Sequence, residues 1–176
     1  MSDDKEPKMN GFALGRNVLA IVLGLALVAT AAYLFLSRPP APEVDYVTLD
    51  GEAMSTQRLR GKVVYVNFWA TSCATCTKEM PDLVKTYERC APRGFELLAV
   101  AVEYDPPEYV ANYTRKHSLP FKVVLDKDGS IAAAFGGVRL TPTAVLIDKR
   151  GRILSRFVGE SHFASLHATI ERELAS

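Results

Sequence analysis

Apolar and polar positions fall into distinct regimes along the chain. From Val18 to Leu36 the residues run VLAIVLGLALVATAAYLFL, about nineteen positions without a charge. At a helical rise of ~1.5 Å per residue such a run covers a hydrocarbon layer of roughly 30 Å, which predicts one membrane-spanning helix. Beyond Tyr46 the pattern changes to short apolar runs alternating with segments of helical period. Val63–Phe68 predicts a buried strand, and Thr75–Cys90 a helix with Cys76, Met80, Leu83, Val84 and Tyr87 on one face. Pro81, inside that helix, predicts a kink. A second strand is expected at Phe95–Val102, a second helix at Pro107–His117, and a short strand at Lys122–Leu125 that ends in the turn Asp126-Lys127-Asp128-Gly129. Ala144–Ile147 and Ile153–Val158 flank Asp148-Lys149-Arg150-Gly151, a hairpin signal with glycine at the left-handed position, and His162–Leu174 closes as an amphipathic helix. Strands alternating with helices, then a hairpin and a last helix, imply an α/β fold with a mixed central sheet covered by helices on both faces.

Length and charge bound the organisation. The 176 residues, 48% of them hydrophobic, hold one globular domain and one extra segment. A net charge of +1 carries no nucleic-acid footprint. Lys5, Lys8 and Arg16 precede the apolar run and Arg38 follows it, so the positive-inside rule places the N-terminus in the cytoplasm and the rest outside. A cleavable signal peptide is the rival, with Ala29-Thr30-Ala31 as the small-residue site, and it exports the domain equally. Arg38-Pro39-Pro40-Ala41-Pro42 reads as a stiff, extended tether. The expected division is therefore a cytoplasmic tail at 1–17, an anchor at 18–36, a Pro-rich tether at 37–45 and the domain at 46–176.

The candidate chemistry lies where the first strand meets the first helix, in Asn67-Phe68-Trp69-Ala70-Thr71-Ser72-Cys73-Ala74-Thr75-Cys76. Two cysteines three positions apart open a helix, whose free N–H groups and dipole favour a thiolate at Cys73, the species that attacks disulfides. A zinc site needs four ligands, and the chain adds only Cys90 and three separated histidines, His117, His162 and His167. A purely structural disulfide would close so short a loop that it gains little. Cys73, nearer the helix start and more accessible, should attack, and Cys76, one turn inside, should resolve the mixed disulfide. Cys90 reads as a small core residue, and a reactive thiol is the second reading.

The element order, the Asn67–Ala70 lead-in, the CxxC, Pro81 five residues after Cys76, and Thr141-Pro142-Thr143 before a late strand resemble the thioredoxin fold. With the anchor, the chain resembles the TlpA/ResA/CcmG-like group of thiol–disulfide reductases tethered to the outer face of the bacterial inner membrane. That resemblance implies a domain in the periplasm, Cys73 as attacking and Cys76 as resolving cysteine, and Pro142 as a cis-proline that faces the dithiol and, with Thr141, meets the partner chain. It also implies a role for Glu79. Ordinary thioredoxin carries a buried Asp where this chain has Asn67, whereas the group places a Glu at the position of Glu79, to tune the cysteines and move protons. A carboxylate held near a thiol in apolar surroundings has a raised pKa and serves as acid or base near neutral pH. Trp69 is expected to pack beneath the motif. Ser72 before Cys73, and Ala74-Thr75 between the cysteines, depart from the group's usual Trp and Pro.

The leading expectation is a membrane-anchored enzyme that reduces disulfides in exported partners, such as apocytochrome c cysteines or a copper-protein thiol pair. It would act as a monomer with electrons from a membrane donor, and with no metal or cofactor beyond the Cys73–Cys76 disulfide. Alternatives are an oxidase or isomerase on the same fold, a Cu(I) metallochaperone, and a peroxiredoxin. The last would require Pro at Val66 and Thr at Ala70.

Overall fold

The computed structural model describes residues 11–36 and 38–176. Helix α1, Gly11–Leu36, belongs to a unit separate from the domain, which begins at Arg38. The expected cytoplasmic tail lies largely outside the described residues. Over the described residues no helix is long and apolar enough to cross a membrane. Only part of α1's side chains is among them, chiefly residues 21–32.

In the domain, β1 (Asp45–Val47) and β2 (Ala53–Ser55) form a small antiparallel hairpin. Strand β3 (Val63–Trp69) runs into helix α2 (Ala74–Cys90), followed by β4 (Phe95–Ala101), α3 (Pro107–Lys116), β5 (Lys122–Leu125), the short α4 (Ser130–Ala134), the hairpin strands β6 (Thr143–Ile147) and β7 (Ile153–Val158), and α5 (Phe163–Ala175). The main sheet has the order β5-β4-β3-β6-β7. β4 lies parallel to β3 and to β5, while β6 runs antiparallel to β3 and to β7, giving the mixed sheet that the pattern implies.

Every residue of β3 is buried, and alternation along it feeds two cores. Val63, Tyr65 and Trp69 pack with Met80 and Leu83 of α2, Val110 of α3 and Leu166 and Ile170 of α5. Val64, Val66 and Phe68 face the opposite side, where Tyr46, Leu59, Ile131 and Phe135 cover the sheet. Truncating a fully buried side chain such as Leu83 would cost about 2–5 kcal/mol. The strand that carries the motif is thus the most constrained element in the domain.

One finding departs from the pattern. The Pro-rich segment does not stand free: the Ala41 N–H donates to the Gly151 carbonyl at 2.8 Å, and the Ile153 N–H donates to the Pro39 carbonyl at 2.8 Å. Prolines lack the donor but keep the acceptor, so an extended segment can still edge onto β7. Pro81 does not end its helix, and α2 continues through it to Cys90. The proline faces solvent, where the carbonyl it leaves unpaired can meet water.

The β6–β7 turn fixes the loops on either side of that hairpin. Gly151 adopts φ +76°, the left-handed conformation expected of it. The buried Asp148 carboxylate accepts the Arg150 N–H at 2.9 Å, the Arg152 N–H at 2.8 Å and Arg152 Nε at 2.9 Å. Burial pushes its pKa up, but the Arg152 and Arg150 hydrogen bonds and the Arg152 charge outweigh burial and leave it lowered. A carboxylate with a lowered folded pKa stabilises the fold above its unfolded value and stops doing so as pH falls through the folded one. Asp148→Ala should therefore cost about 2–3 kcal/mol at pH 7. Denaturant titration should show that deficit shrinking below about pH 4.

Candidate active site

Cys73 is the N-cap of α2, and its Sγ accepts the Cys76 N–H at 3.2 Å. The two sulfurs form a disulfide with Cα atoms 5.2 Å apart. Their exposures differ: Cys73 is half-buried, whereas Cys76 is 1% exposed and belongs to the core beneath the sheet. The helix N-terminus favours negative charge, so on reduction the outer sulfur is both the accessible one and the one best stabilised as thiolate. Trp69, fully buried two residues before Thr71, packs in the same core with its ring 5.3 Å from that of Tyr113, as a residue beneath the motif should. Its indole Nε1 has no hydrogen-bond partner among the described residues.

Glu79 lies on α2 one turn beyond Cys76 and is only 3% exposed. Oε1 accepts the backbone N–H of Ser161, while Oε2 is buried without a partner among the described residues. The Ser161 hydroxyl in turn lies 2.9 Å from the Tyr65 hydroxyl. Burial raises the pKa of Glu79; the Ser161 backbone hydrogen bond opposes this, and the charge of Glu160 adds to the rise. Tyr65 is pushed up to about 12, chiefly by burial, with the Ser161 hydrogen bond opposing. The result is a buried acid with one oxygen anchored and one free to hold a proton.

The cis peptide bond lies between Thr141 and Pro142, immediately before β6. Phe68 pairs with Thr143, so the same register continued by one residue sets Pro142 beside Trp69, at the end of β3 that leads to Cys73. The Thr141 hydroxyl lies 3.2 Å from that of Tyr104. Asn67 pairs with Ala99 and Ala144, on the strand face shared by Tyr65 and Trp69, and its side-chain nitrogen is buried without a partner among the described residues. The cysteines, Trp69 and Pro142 thus meet at one end of the sheet, with Glu79 one helical turn from Cys76. His167 bonds instead to Thr86 through Nε2 at 2.8 Å, His162 stands just before α5 without a side-chain bond to it, and Cys90 is a buried free thiol in the core.

The pattern that these positions form also recurs in known proteins. The redoxin family pattern matches residues 37–170. Thiol-disulfide oxidoreductase ResA of Bacillus thuringiensis subsp. konkukian is 34% identical over 120 residues, 68% of each chain. The chain belongs to the TlpA/ResA/CcmG-like redoxins. ResA of Halalkalibacterium halodurans is 32% identical over 145 residues, 81% of each chain. A thiol:disulfide interchange protein of the thioredoxin family from Chlorobium tepidum superimposes with a TM-score of 0.72 at 31% identity, covering 78% of this chain and 97% of that one. The enzyme is accordingly a thiol–disulfide oxidoreductase, and its redox pair is Cys73 and Cys76.

Sequence reasoning passed over Tyr65, Ser161 and Asp105. Tyr65 offered a faint signal, a hydroxyl on the same face of an apolar strand as Asn67. Ser161 offered none, since it meets Glu79 across 82 residues of chain.

The raised pKa of Glu79 has a consequence for stability. The fold favours the neutral acid, so the cost of its charge is absent below the unfolded value of about pH 4 and complete above the folded one. Glu79→Gln, which keeps an acceptor for the Ser161 N–H, should raise the thermal midpoint of the disulfide form at pH 8 and leave it unchanged near pH 4. A lower midpoint at pH 8 would contradict this reading of the buried acid.

Proposed function

We propose that this redoxin is a membrane-anchored reductant of disulfides in exported proteins, of the kind needed in cytochrome c maturation or copper-protein assembly. The observation that carries the reading is the graded access of the two sulfurs, Cys73 half-buried at the start of α2 and Cys76 sealed one turn inside. The Cys73 thiolate attacks one sulfur of the partner's disulfide and bonds to it, while the S–S bond breaks and the other sulfur leaves as a thiolate. The Cys76 thiolate then attacks Cys73, forming the Cys73–Cys76 disulfide and releasing the second partner thiolate. Two electrons have passed to the partner. Glu79, with Oε2 unpaired, accepts the proton that Cys76 must lose before it attacks. Thr141 and Pro142 receive the partner's chain beside the dithiol, and no metal or cofactor beyond the redox disulfide is required.

Support for the anchor comes from the uncharged run Val18–Leu36 within α1. Leu19, Ile21, Val22, Leu23, Leu25, Leu27 and Val28 all lie exposed, around the whole circumference rather than along one stripe. A helix apolar on every side suits lipid. The charge asymmetry across it favours a cytoplasmic N-terminus, a domain on the periplasmic face of the bacterial inner membrane, and a membrane donor to renew the dithiol in an oxidising compartment. One anchor on one small domain suits a monomer. A cleft of about 430 Å³ lined by Tyr104, Arg139, Leu140 and Thr141 lies on the approach to Pro142 and suits the partner segment that flanks the cysteine.

The reading is tested on the full chain by trapping. Cys76→Ala should accumulate a mixed disulfide with an oxidised exported protein, and Cys73→Ala should accumulate none. Loss of bound copper(I) in Cys76→Ala without any trapped adduct would point to a metallochaperone instead. Glu79→Gln should slow resolution by roughly tenfold or more at pH 7.

A further inference from the structure

The turn between β4 and α3 sends one side chain back to the redox loop. Asp105 is 4% exposed, although three of its neighbours, Tyr104, Pro106 and Pro107, are exposed. Its Oδ2 accepts the backbone N–H of Thr71 at 2.6 Å, and its Oδ1 accepts the Thr71 hydroxyl at 2.6 Å. Both carboxylate oxygens are therefore engaged by one residue, two positions before Cys73. The turn that carries Asp105 is closed by its own N–H donating to the Val102 carbonyl at 3.0 Å, and the Val102 N–H donates to the Trp69 carbonyl at 3.1 Å. Asp105 thus hangs from the end of β4, which is itself tied to the end of β3. The redox loop is closed on its other side by the Cys73 N–H, which donates to the Ala70 carbonyl at 3.1 Å.

We propose that Asp105 is a positioning residue for thiol–disulfide exchange, holding Thr71 so that Cys73 stays at the N-terminus of α2 after the disulfide has opened. In the oxidised protein the S–S bond itself restrains the loop. In the reduced protein that covalent restraint is gone, and the two hydrogen bonds to Asp105 remain to hold the loop that carries Cys73 at the start of α2. The burial of Asp105 strengthens them, because charge-assisted hydrogen bonds shielded from water are the strong ones. A carboxylate is suited to this place: it accepts from the backbone and the hydroxyl of the same residue at once, and so fixes the direction as well as the position of the strand's exit.

Chemically, Asp105 exchanges no proton or electron. It acts on both steps through geometry. Attack on a partner disulfide requires Cys73 to be presented outward, and closure of the Cys73–Cys76 bond requires the two sulfurs to meet again, so a loosened loop lowers the effective concentration of each sulfur for the other. The reduced state gains more freedom than the oxidised one, and the exchange equilibrium shifts toward the dithiol. The inference rests on Cys73 being the attacking sulfur.

The test uses the full chain with Asp105→Ala, Asp105→Asn and Thr71→Val. An asparagine can accept the Thr71 N–H through its oxygen and donate to the Thr71 hydroxyl through its nitrogen, so it keeps both contacts without the charge. At a temperature where every variant is folded, Asp105→Ala should reduce oxidised glutathione at least about tenfold more slowly, and its equilibrium constant with glutathione should move several-fold toward the dithiol. Asp105→Asn should recover the rate to within about threefold, and Thr71→Val, which loses one of the two bonds, should fall between. An Asp105→Ala protein that melts earlier but keeps the rate and the equilibrium would assign the residue to stability alone and overturn the inference. So would Asp105→Asn behaving like Asp105→Ala. Should Asp105→Ala not fold, Thr71→Val decides, and an unchanged rate there overturns the inference. In a Cys76→Ala background, failure of the otherwise wild-type chain to form a Cys73 adduct would instead contradict Cys73 as the attacker.

Discussion

The junction of β3 and α2 is the constraint on which the rest of this enzyme depends. A sulfur can act as a nucleophile near neutral pH only if its thiolate is stabilised and reachable, and here the Cys73 Sγ is itself the cap of α2, accepting the Cys76 N–H. That cap is useful only if the helix start is held still. The sheet supplies this by burying every residue of β3 between β4 and β6 and by feeding its two faces into separate cores. Position in the sheet also sets access, since the first cysteine emerges at the strand's end while the second has already turned into the core.

Two buried carboxylates lie close to this junction along the chain and through hydrogen bonds, and their surroundings divide their work. Asp105 has both oxygens taken by Thr71 and is suited to holding. Glu79 has one oxygen held by the Ser161 backbone and the other empty, in surroundings that raise its pKa, and is suited to a proton. Among the described residues neither is paired with a basic side chain across a short contact, so the core around the motif gains its order from backbone and hydroxyl donors. Ion pairs lie elsewhere in the domain, as in the exposed Lys78 with Glu160 at 2.7 Å and the buried Asp148 with Arg152 at 2.8 Å.

Much of the domain could be read from the chain because its signals are local. Runs such as Val63–Trp69 and Phe95–Ala101 are fully buried strands with no competing period, and Cys76, Met80, Leu83 and Cys90 mark the buried side of α2. What escaped depends on contacts between distant residues. Strands β1 and β2 have three residues each, too few for alternation to show, and α4 has five and is started by the Asp126 carboxylate, which accepts the N–H groups of Ile131 and Ala132. The Pro39–Ala41 segment reads as a spacer because its partners lie more than a hundred residues away at Gly151–Ile153. At the site, the cysteines and Pro142 were legible from the motif and from resemblance, and the structure contains the cis bond expected there. Asp105 was not, because an aspartate before two prolines looks like any turn residue until Thr71 is placed opposite it.

The direction in which the dithiol passes electrons is the centre of the account, and the equilibrium reduction potential of Cys73–Cys76 tests it most directly. The full chain would be titrated against dithiothreitol or glutathione buffers, with the fluorescence of Trp69, the single tryptophan, as the readout. A reductant renewed through the membrane requires a value below roughly −200 mV, toward the thioredoxin end of the range. A value near −120 mV, that of a strong oxidant, would contradict it.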